Sequence, residues 1–174
     1  MTTLISLSAK DAIVVKSGDA TLLKQDVKAL LECDFSNAKV GDKPFDVYLK
    51  SNGEEYVKSW PDDQLKVALY FSTRFNKRNK NKMQVTDDPS AAQYKIVITP
   101  TVIDMGDRGS SFNPFASAKA GGAILSGTVN IIEIASNNSV CQLQFEEVKG
   151  IGHVSNTVRL GMAFFELATL MTKM

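Results

Sequence analysis

The stretch that most constrains the fold is "AAQYKIVITPTVIDMG", residues 91–106. Tyr94, Ile96 and Ile98 alternate with Lys95, Val97 and Thr99. A period of two is the mark of a β-strand with one face turned to a core. Pro100 cannot donate a ladder hydrogen bond, so a bulge or an edge position is predicted there. Two further runs, "AILSGTVNIIEIA" (Ala123 to Ala135) and "VCQLQFEEV" (residues 140–148), flank "SNNS", a turn rich in Asn and Ser. They read as a β-hairpin. A sheet of this kind needs a cover for its apolar face. "VRLGMAFFELATLM" (residues 158–171) supplies one. It reads as a last helix from about Ser155, apolar on most sides and packed deeply against the sheet.

The first half adds two strands and a helical region. "AIVVKSGD" (Ala12 to Asp19) is a short β-branched run ending in a Gly-Asp turn. In "QDVKALLECDF" (Gln25 to Phe35), residues Val27, Ala29, Leu31, Cys33 and Phe35 share one face. Residues 44–80 read as helical in two pieces. The first starts with Pro44 and is weakened by Gly53. Pro61 then breaks or restarts the helix. The second piece carries Asp62 and Asp63 at its start and Lys and Arg at its end, as the helix dipole favours. In it Leu65, Ala68, Leu69, Ser72 and Phe75 form a stripe predicted to face the core. "MQVT" (residues 83–86) reads as a short strand. The predicted order is β-β-α-α-β-β-β-β-α. It implies a single α+β domain over residues 10–174, with a mainly antiparallel mixed sheet and helices on one face. No internal repeat is visible.

At 174 residues the chain is long enough to bury a core without metal or disulfide staples. Its 20 Lys+Arg and 19 Asp+Glu leave a formal charge of +1. That balance argues against a dedicated nucleic-acid binder. The first nine residues, "MTTLISLSA", carry no charged side chain. They resemble the tail of a secretory signal peptide cleaved near Ser8 or Ala9, with the start codon upstream of Met1. The expectation is an exported protein of the periplasm or outer envelope. A frayed terminus is the alternative. No Cys follows the segment, so a lipid anchor is not indicated. No apolar run reaches the ~18–20 residues that span a bilayer.

Chemistry-bearing residues are sparse. His153 is the single histidine and has no H-x-x-x-H or C-x-x-C partner pattern, which suits a surface or helix-start role. Asp62-Asp63 reads as helix capping, Asp87-Asp88 as turn chemistry, and Glu146-Glu147 points to opposite faces of a strand. Cys33 and Cys141 both fall in phase with apolar neighbours. They are two buried thiols, or a disulfide if their strands adjoin. "RFNKRNKNK" (Arg74 to Lys82) includes Arg74, Lys77 and Arg78. It is either a patch for anionic partners or the solvated end of a helix. "DRGSSFNPFASAKAGGAILSG" (Asp107 to Gly127) leads into a strand and lacks a following Lys-Ser or Lys-Thr, so it is no phosphate loop. Its Phe112 and Phe115 either reach a partner or a bilayer, or fold back on the sheet. No cofactor, metal or catalytic constellation is predicted. Three readings follow: a non-catalytic envelope protein of binding or assembly, a hydrolase or small-ligand enzyme whose site forms only in three dimensions, and an oligomeric or membrane-touching module using residues 107–123.

Nearly the whole chain resembles a group of exported envelope proteins from Bacteroidetes. The resemblance runs through "VVKSGDATLLK", "CDFSNAKV", "EEYVKSWPDDQ", the helix end "RFNK", "AAQYKIVI", "VNIIEIASNN" and "RLGMAFFELATLM". More distantly, the layout is similar to the small α/β modules of the curli-secretion lipoprotein and of the amino-terminal domain of the Tol translocation protein. The resemblance implies a periplasmic or envelope protein that binds an envelope partner or itself. It assigns no catalytic residue.

Overall fold

The structure is a computed structural model that describes residues 12–106 and 121–174. Its strands are β1 (Ile13–Gly18), β2 (Lys28–Cys33), β3 (Lys39–Val40), β4 (Lys43–Pro44), β5 (Gln84–Val85), β6 (Tyr94–Asp104), β7 (Ile124–Glu133) and β8 (Asn138–Lys149). Its helices are α1 (Phe45–Ser51), α2 (Glu54–Arg78) and α3 (Asn156–Met171), with a short 3-10 turn at Ala20–Lys24. The chain is α+β, as its periodicities predict, and the two-residue strands β3 and β4 are additions.

The eight strands form one mixed sheet in the order β1-β8-β7-β6-β2-β5, with β3 beside the far half of β6. β6, β7, β8 and β1 pair antiparallel, whereas β2 pairs parallel with β6 and with β5. A parallel pair needs a long crossover, and α1 and α2 provide it between β2 and β5. Pro100 sits at a register shift between Pro100 and Val102, where β2 stops beside β6 and β3 begins. The bulge reading therefore holds in the middle of the sheet. The β7–β8 hairpin turns at residues 134–137, with Asn137 at φ 55°. Ser155 caps α3, its Oγ accepting from the Val158 amide at 3.5 Å.

Three expectations for α2 need correction. The break in the helical region lies at Gly53, whose φ of 115° no ordinary L-residue adopts readily, and Pro61 lies inside α2. Proline removes one N–H, which leaves the Val57 carbonyl without its intrahelical donor. Val57 and Pro61 are both exposed, so the lost bond lies at the surface and costs little. Asp62 and Asp63 accordingly lie mid-helix and do not cap it. Asp63 accepts from Ser59 Oγ at 3.1 Å and pairs with Lys66 at 3.0 Å, while Glu54 and Glu55 occupy the first turn.

The third correction concerns the core-facing stripe. Of the predicted stripe Phe75 is fully buried, Ala68 and Ser72 are half-buried, and Leu65 and Leu69 are 70% and 62% exposed, while Val67 and Phe71 are the residues that join Phe75 in the core. One helix face can be buried, and the face carrying the larger apolar area wins. Phe71 and Phe75 stack at 5.4 Å, and Trp60 on the same side joins Phe35 and Phe45. This rotation of α2 turns two leucines outward. α2 and α3 approach closely, because a Cβ on Gly161 would come within 2.4 Å of the Tyr70 ring.

Candidate functional site

The outward rotation of α2 builds the site. Beyond Ala29, no described strand pairs with the outer side of β2, because β5 reaches only Lys28 and Ala29. The exposed side of α2 stands over this free edge. Between them runs a groove of ≈ 690 Å³, walled by Leu65, Ala68 and Leu69 on the helix and Leu30, Leu31 and Glu32 on the strand. Gln64 of α2 donates to the Cys33 carbonyl at 2.6 Å, so one backbone acceptor of the edge is held by a side chain. Lys95 Nζ lies 3.3 Å from Glu32 Oε2 at the groove, and Thr86 and Asp87 close its end. That ion pair is half-exposed and contributes little to stability. A second groove of ≈ 610 Å³ runs on the other flank of Leu69, between α2 and α3, and includes Tyr70, Val158 and Phe165. Leu69 is therefore the crest of an apolar ridge with a groove on each side.

The groove is apolar in its walls, charged at its rim and open along a backbone edge. These are the properties of a surface that receives an extended segment, whose amides pair with the strand while its side chains fill the wall. Among the described residues no group of three or more His, Cys, Asp or Glu stands ready for a metal ion. No described helix is long and apolar enough to cross a membrane.

The residues singled out from sequence do not converge here. His153 Nδ1 accepts the Ser155 amide at 3.0 Å, a contact that shapes the start of α3. Arg74 Nε donates to Thr169 Oγ1 at 2.8 Å and its guanidinium lies 4.5 Å from the Phe165 ring centre. Arg78 Nε donates to Thr172 Oγ1 at 3.0 Å. Two arginines one turn apart on α2 thus clasp α3. Lys77 between them is exposed. Asp88 accepts from the Ser90 hydroxyl at 2.7 Å and the Ser90 amide at 2.9 Å, which hold its carboxyl below the usual range, in keeping with a turn. Glu147 lies at φ 53° by the β8 bulge, and Glu146 accepts from Gln144 at 2.8 Å. Phe112, Phe115 and the segment Met1 to Ala9 lie outside the described residues.

Cys33 and Cys141 are both buried and free. Their strands, β2 and β8, have β6 and β7 between them. Three interstrand spacings are about 14 Å, beyond the reach of a disulfide. Burial pushes the Cys33 thiol up to about 12 and also raises that of Cys141. The unfolded thiol ionises near 9 and the native Cys33 does not, so it removes stability as pH rises from about 9 to about 12. We expect neither thiol to react with a thiol-specific reagent at pH 8 until the chain is denatured. Rapid modification of two thiols in the native protein would contradict the burial.

The grooves were missed in the sequence because α2 offers two apolar stripes. The signal was present: Trp60, Val67, Phe71 and Phe75 recur at spacings of seven, four and four. Giving the core to the bulkiest side chains leaves Leu65 and Leu69 over.

Fold and groove together define an α+β domain with its helices on one side of the sheet and an accessible strand edge beneath a leucine ridge. No protein-family model matches the chain, and no curated protein matches it. Among solved structures, it is similar to the PelC dodecamer from Paraburkholderia phytofirmans, at 9% identity over 90% of this chain and 96% of that one, with a TM-score of 0.45. A variant of that PelC dodecamer gives 11% identity over 91% of this chain and 97% of that one, with a TM-score of 0.41.

Proposed function

We propose that this is a non-catalytic protein of the bacterial envelope that acts in binding or assembly, and that the groove beside β2 is where it binds. The observation that carries the reading is the pair Leu65 and Leu69, 70% and 62% exposed, standing over a strand edge. Leucines exposed to about two-thirds forgo about 1–2 kcal/mol of burial each. A contiguous apolar wall beside free backbone groups is the composition of a contact surface. Export is supported by the uncharged start, "MTTLISLSA", and by the resemblance to exported envelope proteins of Bacteroidetes.

The test compares the wild-type protein with Leu65→Asp/Leu69→Asp as baits in an extract of its own envelope. Both positions are exposed, so the variant should fold with an unchanged circular dichroism spectrum. Wild type should retain a defined set of proteins, this chain included if it self-associates, and the variant should lose them at least tenfold. Equal retention by both baits would overturn the groove as the binding site. Turnover of a substrate by the pure protein would overturn the non-catalytic reading.

A further inference from the structure

The sheet has a second edge at its opposite end, guarded in its last half by Lys16 and a bulge between Val15 and Ser17, while no described strand covers it at Ile13 to Val15. β1 pairs with β8 on one side and with no described strand on the other. Edge strands of soluble proteins are commonly guarded by charges, prolines or cover. β1 reads Ile13-Val14-Val15-Lys16-Ser17-Gly18, and Val14 and Val15 are 39% and 43% exposed. Its hydrogen-bonding sense can be read from the ladder. Ala12 accepts from the Glu146 amide, and Val14 stands opposite Gln144, so these residues bond to β8. By alternation, Ile13 and Val15 direct their N–H and C=O groups outward.

We infer that the groove beside β2 receives β1 of a second copy of this chain. The inference rests on the binding reading above and names the partner. Three observations favour this occupant. Both edges belong to one sheet, so their union continues the sheet from copy to copy. By alternation from Ala29, the groove edge offers the Leu31 N–H and C=O and the Cys33 N–H, the Cys33 carbonyl being held by Gln64, and the regular stretch of β1 before its bulge, Ile13 to Val15, matches that length. The charges are complementary: β1 carries Lys16 and no acid, whereas the groove rim carries Glu32 and Asp87 against Lys95. One set of β1 side chains falls beneath Leu65 and Leu69, and the other lies on the open sheet face beside Leu30. The contact joins two different surfaces, so a pair keeps a free groove at one end and a free β1 at the other. Assembly therefore proceeds head to tail, to a ring where the rotation closes or a fibre where it does not.

Two variants separate this arrangement from others. Val15→Pro deletes an outward amide and leaves the β8 ladder intact. Leu65→Asp/Leu69→Asp spoils the groove and leaves β1 intact. In sedimentation across a wide concentration range, the wild-type mass should rise to at least double that of one chain. Each variant alone should remain at the mass of one chain, with the circular dichroism spectrum of the folded wild type. Mixed in equal amounts, the two should form a dimer containing one of each and grow no further, because only one sound groove and one sound β1 remain between them. A wild-type protein that stays monomeric overturns the inference but not the binding reading, provided the envelope partners still depend on Leu65 and Leu69. Assembly by Val15→Pro alone would overturn β1 as the occupant and point to a symmetric groove-to-groove pair. Loss of neither assembly nor envelope partners in the leucine variant would overturn both.

Discussion

Phe71→Ala is expected to lower the unfolding free energy by about 3–5 kcal/mol. For a chain of this size that lowers the melting temperature by about 6–20 °C. Phe71 is fully buried, stacks on Phe75 at 5.4 Å, and belongs to the face of α2 that fills the core. Truncation leaves a cavity that neither α2 nor the sheet beneath it can collapse to fill. The matched control is Leu69→Ala, on the opposite side of the same helical turn. Leu69 is 62% exposed, so its truncation should change stability by no more than about 0.5 kcal/mol. The two residues are similar in hydrophobicity and differ in which side of α2 they occupy. Equal losses from both, measured by denaturant titration, would show that α2 is rotated differently and would remove the groove.

The second large effect is expected at Gly150, between β8 and α3. A Cβ there would lie 2.4 Å from the Ala163 amide nitrogen and 2.7 Å from the Met162 carbonyl carbon. Both atoms are helix backbone and cannot rotate aside. Gly150→Ala should therefore push α3 off the sheet and cost about 1–3 kcal/mol, the usual range for overpacking. Gly41→Ala is the control, since Gly41 has φ 59° and a Cβ there would meet nothing within 4 Å. Its loss should reflect backbone conformation alone, about 1 kcal/mol. Native-state hydrogen exchange would locate the difference. Faster exchange along α3 in Gly150→Ala but not in Gly41→Ala is the expected result. Unchanged exchange in both would sink the close-packing account.

Most of the fold was legible in particular residues. The alternation of Tyr94, Ile96 and Ile98 marks β6, and Ile96 and Ile98 are buried as it requires. The turn between residues 134 and 137 closes the predicted hairpin, and the apolar run ending at Met171 is the helix that covers the sheet. Parallel pairing of β2 with β6 was not legible, because alternation within a strand does not say which neighbour it meets or in which direction. β3 and β4 were too short to carry a period. Pro61 misled because its cost is small when the carbonyl it orphans faces water.

The candidate site was legible only in part. Leu65 and Leu69 stood out as apolar residues at helical spacing, but spacing alone cannot say whether a stripe faces inward or outward. Arg74 and Arg78 formed part of a charge run whose destination on α3, at Thr169 and Thr172, lies more than ninety residues along the chain.

Local pattern in the sequence therefore determined which segments are strands and which are helices, since period two and period 3.6 are properties of neighbouring residues. It also settled that a cover of apolar helix had to exist for the sheet. The tertiary structure alone decided the rotation of α2, the order of the strands and which edges no described strand covers. Each of those is a competition between distant groups for the same buried volume, and Phe71 and Phe75 excluded Leu65 and Leu69 from it by their greater area.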